Sequence, residues 1–194
     1  KLVAEDELIK GIWCVPKYSN PDGITYSDSV VDRLAKMKTK AKDFRIFWDN
    51  AYIVHHLTDE HDELKNILAA CKKAGNPDRV FIFSSTSKIT FPGAGVAMLA
   101  SSENNINTIK KQMSKQTIGP DKINQLRHVR FLKNMNNIEE HMKKHAAILK
   151  PKFDTVLDIL DKELSGKEIA WWHKPNGGYF ISLNTMDGCA ATVV

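Results

Sequence analysis

A chain of 194 residues, 42% apolar and 26% charged, has room for one large or two small domains with a real core. The net charge of +5 is spread among acids: Lys36, Lys38, Lys40 and Lys42, and Lys110, Lys111 and Lys115, read as solvated helix faces. There is no basic patch interleaved with aromatics and no apolar run long enough for a membrane span, which argues against nucleic-acid and membrane partners. Cys14, Cys71 and Cys189 are odd in number and far apart, so neither a disulfide framework nor a metal knuckle follows, and a cytoplasmic setting is expected.

Strand and helix signals alternate through the first half. LIKGIWCV (8–15) is a short apolar run closed by Pro16, and the turn-rich YSNPDG follows. Ser27 is placed to cap a helix running to about Lys42, with Val30, Val31, Leu34 and Met37 on one face. FRIFW (44–48) reads as a strand ending at Asp49. Residues 60–74 carry Leu64, Ile67, Leu68 and Cys71 at helical spacing, stopped by Gly75. RVFIFS (79–84) and GVAMLAS (95–101) are two further strands. This order predicts an α/β fold, a three-layer α/β/α arrangement around a mainly parallel sheet.

Beyond residue 102 the pattern becomes helical. Segments 103–115 and 121–134 are amphipathic, and 136–164 is a long helix that Pro151 is expected to kink or divide. EIAWWH (168–173), the turn KPNGG and YFISLN (179–184) form an expected hairpin. DGCAATVV opens like a helix, with Asp187 near its cap, and stops there. A hairpin and a broken helix cannot close a core, so the chain is expected to be an internal piece of a longer protein. The expected division is 1–135, part of a large domain, and 136–194, long helices with part of a small α+β domain.

Ligands of α/β sheets bind beyond the carboxyl ends of the strands. Three polar groups fall there: the YSNPDG turn with Asn20, Asp49 with Tyr52 three residues on, and Ser85 to Lys88 after RVFIFS. An amide, a carboxylate with a phenol, and a lysine among hydroxyls match a planar cofactor with a phosphate, an aldehyde, a phenolic oxygen and a pyridine nitrogen. Taken singly, Asn20 reads as a turn residue, Asp49 as a helix cap and Tyr52 as core.

NPDG (20–23), DNAY (49–52) and SSTSK (84–88), in this order and spacing, resemble the class I/II aminotransferases, pyridoxal-phosphate (PLP) enzymes of fold type I. GGYF (177–180) resembles their small-domain segment. The longer strings GIWCVPKYSNP, WDNAY, STSKITFPGAGVA, QLRHVRFL and NGGYFISL resemble a bacterial subgroup of aspartate aminotransferases, and the resemblance covers nearly the whole chain. It implies that Lys88 forms the Schiff base with PLP and moves the substrate Cα proton. It implies that Asp49 pairs with the pyridine nitrogen, that Tyr52 and Asn20 bond the phenolic oxygen, and that Ser85 and Ser87 bond the phosphate. Lys88, Asp49 and Tyr52 would be the catalytic set. The implied reaction moves an amino group from an amino acid, aspartate by subgroup, to a 2-oxo acid such as 2-oxoglutarate. The implied assembly is a homodimer, with QTIGPDK (116–122) reaching towards the second subunit.

Some family features are missing. Val96 stands where many relatives place a phosphate-contacting arginine after the lysine, and the phosphate loop and the substrate-carboxylate arginine lie outside this sequence. The chain alone is therefore expected to bind PLP weakly and not to turn over. Trp13 is assigned to packing. A lyase or decarboxylase of the same fold, and a non-catalytic PLP-sensing regulatory module, are the alternatives. No metal is expected: His141 and His145 in HMKKH have Met142 where a zinc protease needs a glutamate, and His55, His56 and His61 read as a surface group. Arg127 and Arg130 could face a substrate carboxylate, with a salt bridge as the default.

Overall fold

The computed structural model describes residues 1–188, and the chain divides into two compact units. Lys1–Pro16, Tyr26–Ala51 and Glu63–Met135 make the first; Lys17–Thr25, Tyr52–Asp62 and the chain from Asn136 make the second.

In the first unit a short helix α1 (Leu2–Glu5) precedes β1 (Gly11–Cys14), α2 (Asp28–Lys36), β2 (Arg45–Asp49), α3 (Ile67–Lys73) and β3 (Val80–Ser85). β4 (Ala97–Ala100), α4 (Glu103–Gln116) and α5 (Lys122–Leu132) follow. The strands form one sheet in the order β1-β2-β3-β4. β1 with β2 and β2 with β3 are parallel, each pair joined by a helical crossover; β4 returns antiparallel to β3 through a short loop. The fold is thus α/β with a mainly parallel sheet, as its strand–helix alternation requires. Cys14, Ile46, Trp48 and Val80 on the sheet meet Val31 and Ala35 of α2 and Ile67, Ala70 and Cys71 of α3 in one buried core.

Helix starts follow capping chemistry. Ser27, Asn66, Ser102 and Asp121 each accept a backbone N–H three residues on, from Val30, Ala69, Asn105 and Asn124. α2 ends at Lys36, not Lys42, because its last carbonyls find partners outside the helix. Asn76 Nδ2 donates to Ala35 O at 2.9 Å and the Arg79 guanidinium to Met37 O at 2.6 Å. α3 starts at Ile67, later than the apolar spacing from residue 60 predicts, because the Asn66 side chain takes the cap.

The second unit is dominated by α6 (Met135–Leu164), which runs through Pro151 unbroken. Proline deletes one donor from a long ladder, and Thr155 Oγ1 donates back to Pro151 O at 2.8 Å. β5 (Ala170–Trp172) and β6 (Leu183–Thr185) pair antiparallel, with Trp171 opposite Asn184. The predicted hairpin is therefore real but wider than KPNGG. Residues 179–182 leave the strand because the glycines before them pair elsewhere: Gly177 bridges to His56 and Gly178 N–H donates to His55 O at 2.8 Å. The expected helix in DGCAATVV lies outside the described residues from Cys189 onward.

Candidate active site

Because β1, β2 and β3 are parallel, their carboxyl ends lie on one edge of the sheet. Asp49 is the last residue of β2, level with Phe83 of β3, and Ser85 ends β3. The two ends are laced together: Asn50 N–H donates to Phe83 O at 2.8 Å and Ser84 Oγ to Asn50 O at 3.4 Å. Asp49, Ser85 and Ser87 are half-buried, whereas Lys88 is exposed. The edge therefore carries a carboxylate, two hydroxyls and an amine from adjacent strands.

Lys88 is the middle residue of a tight turn. The N–H groups of Ile89 and Thr90 both donate to Thr86 O at 2.9 Å, and Ser87 N–H reaches Ser85 Oγ at 3.4 Å. Thr86 is buried, and its hydroxyl accepts from Val96 N–H at 2.8 Å. The same hydroxyl lies 2.9 Å from His128 Nε2 on α5, with Thr90 Oγ1 3.2 Å from that nitrogen. Gly95 approaches closely: a Cβ there would stand 2.5 Å from Ser87 Oγ and 3.1 Å from Ser87 N, so a side chain would displace the serine. Sequence reasoning passed over Thr86 and His128. Thr86 was visible only as one more hydroxyl in SSTSK, and nothing local links it to a histidine 42 residues away.

Asn20 and Tyr52 belong to the second unit. Asn20 is exposed in a turn closed by Gly23 N–H to Ser19 O at 2.7 Å, with a cis bond to Pro21. Gly23 has φ +68, and a side chain there would meet Pro175. Tyr52 is 4% exposed and sits edge-on to Tyr179 and Phe180, both at 5.9 Å, and to His55 at 5.8 Å. The GGYF segment thus forms the wall around this tyrosine. Burial, with Tyr52 beside it, pushes the Tyr179 phenol above its usual range.

The neighbouring histidines are more built-in than a surface group. His56 Nδ1 lies 2.8 Å from Tyr18 Oη, and its ring stacks on His61 at 3.6 Å. Burial, and next the charge of Lys17, push its pKa down to about 4. His141 and His145 lie edge to face at 4.7 Å. Among the described residues no group of three or more His, Cys, Asp or Glu side chains is placed to hold a metal. Arg127 lies over the Phe91 ring, 5.7 Å from its centre, and Trp13 stacks on Phe47 at 5.6 Å and Phe83 at 5.8 Å. No helix among the described residues is long and apolar enough to cross a membrane.

A mainly parallel sheet with polar groups at its carboxyl edge defines an α/β protein, the class in which ligands bind beyond the strand ends. The sequence model of the aspartate amino-transferase family matches residues 1–194. A Mycolicibacterium smegmatis protein provisionally named an aminotransferase is 52% identical over 194 residues, covering 100% of this chain and 45% of its own length. An aspartate aminotransferase of Corynebacterium glutamicum is 47% identical over 191 residues, 98% of this chain and 44% of that protein. The crystal structure of a Corynebacterium diphtheriae protein, also provisionally named an aminotransferase, superposes with a TM-score of 0.94 at 47% identity, over 100% of this chain and 47% of that one. The chain belongs to the aspartate aminotransferase family. It spans about half the length of the curated relatives it matches.

Proposed function

We propose that this chain is the lysine-bearing part of a PLP-dependent aminotransferase that takes the amino group of an amino acid, aspartate in the first instance, and gives it to 2-oxoglutarate. The observation that carries this is the sheet edge, where Asp49 and the Ser85–Lys88 turn end neighbouring parallel strands. This donor set fits the cofactor: a carboxylate for a protonated ring nitrogen, hydroxyls for a phosphate and an amine for an aldehyde.

When bound, PLP supplies an electron sink for the pair left on the substrate Cα. Asp49 holds the proton on the pyridine nitrogen, which keeps that sink strong. Ser85 and Ser87 donate hydrogen bonds to the phosphate and fix its position. Asn20 and Tyr52 would hydrogen-bond the phenolic oxygen, as the family resemblance implies; within its own unit Tyr52 packs among Tyr179, Phe180 and His55. Lys88 would hold the cofactor's aldehyde through Nζ, and the same amine, when free, would be the base for the substrate Cα proton.

The proposal assigns residues 1–135 to the large cofactor-binding domain and 136–194 to the connecting helix and small domain, although Lys17–Thr25 and Tyr52–Asp62 pack with the latter. A homodimer is part of the proposal, supported by the exposed apolar side chains of Met113, Ile118, Ile123 and Val129 around residues 116–122. A cytoplasmic setting is supported by Cys14 and Cys71, both free and buried. The decisive experiment is borohydride reduction of the intact protein with PLP, followed by peptide mass spectrometry. Pyridoxyl on Lys88, lost in Lys88→Ala, is expected; label scattered over surface lysines would refute the assignment. Glutamate formed with oxaloacetate would identify transfer, and pyruvate with ammonia a lyase.

A further inference from the structure

We infer that His128 is the positioning residue of the lysine turn, a role that rests on the cofactor reading for what the turn serves. The proton bookkeeping is closed. His128 Nδ1 lies 2.9 Å from Asn124 O, and a carbonyl only accepts, so Nδ1 carries the proton. In the neutral ring Nε2 is then an acceptor. Thr86, whose oxygen already accepts from Val96 N–H, gives its own proton to Nε2. Thr90 gives its hydroxyl proton to Thr86 O at 3.1 Å and keeps its oxygen 3.2 Å from the ring.

One imidazole therefore holds the start of the turn through Thr86, whose carbonyl oxygen in turn accepts from Thr90 at the far end, with Lys88 between them. α5 holds the returning arm as well, since Asn124 Nδ2 donates to Gly95 O at 3.3 Å, beside the close approach of Gly95 to Ser87. Lysine is a flexible chain on a fixed root, so the place its amine can reach is set by the backbone that carries it. Here that backbone is fixed by a helix 42 residues further along the chain.

The test uses the intact protein in two forms. In the cofactor-free form, amide exchange at Ile89 and Thr90 is expected to rise about tenfold in His128→Ala, the scale of one lost hydrogen bond. His128→Gln, whose amide oxygen can accept from Thr86, is expected to restore most of the protection. With saturating PLP, borohydride trapping at Lys88 is expected to slow about tenfold in His128→Ala and to recover in His128→Gln. Thr86→Val and Thr86→Ser form a second pair that needs no change on α5; valine keeps the shape without the hydroxyl and is expected to behave like the alanine variant. Unchanged exchange and unchanged trapping in both His128→Ala and Thr86→Val would overturn the inference. If exchange rises but the unsubstituted protein never labels Lys88, the tether stands and the cofactor reading falls.

Discussion

The two faces of the four-stranded sheet are held by different means. On one, Cys14, Ile46, Trp48 and Val80 are almost fully covered by α2 and α3, with Trp48 only 1% exposed. On the other, Trp13, Phe47, Phe81 and Phe83 lean on each other at ring separations from 5.6 to 6.5 Å, and Trp13 stays 61% exposed. Alternation along each strand deals its residues to these two faces in turn. The contrast shows that an apolar strand residue says nothing by itself about what covers it. Within this chain the first face is removed from water by two helices, whereas the second is held by lateral ring contacts.

Substitutions should separate the two mechanisms. Trp48→Ala is expected to cost about 3–5 kcal/mol in denaturant unfolding of the intact protein, because it empties a site that helices have closed. Cys71→Ser in α3 puts a hydroxyl into the same sealed layer, and a loss of about 1–3 kcal/mol is expected by the same measurement. The Cys71 thiol, pushed up to about 11 mainly by burial, is also expected to react with a thiol reagent only when the protein is unfolded. Trp13→Ala removes stacking alone and is expected to cost about 0.5–1.5 kcal/mol. A cost for Trp13→Ala equal to that of Trp48→Ala would erase the distinction between the faces.

A smaller effect belongs to the second unit. His56 binds a proton less readily when folded, at about 4, than in the unfolded chain at its ordinary value of 6.5. Between those values the unfolded state holds more protons, so stability falls as pH is lowered from about 6.5 towards 4. His56→Gln is expected to flatten that part of the pH–stability curve, without altering the difference between Trp13→Ala and Trp48→Ala. An unchanged slope in the variant would show that other groups carry it.

Much of the fold was legible residue by residue. Ser27 caps α2 as its hydroxyl before an apolar helical run requires, and the β2 and β3 runs became parallel strands because a helix separates them. Asp49 and the Ser85–Lys88 segment were recognisable from their order and spacing, and the strand ends they occupy follow from the same alternation. What was illegible is carried by side chains that reach across the chain. α2 stops where Asn76 and Arg79 take its carbonyls, and Tyr179 and Phe180 leave the expected strand to pack on Tyr52.

By itself the sequence determined the strand and helix order, the helix caps and the family, since periodicity, capping and motif order are local properties repeated along the chain. Only the tertiary structure decided which sheet face is sealed, where α2 ends, and that Thr86 and His128 hold the turn around Lys88. Each of these depends on a few hydrogen bonds or packing contacts between distant residues, and such contacts leave no periodic trace in a sequence.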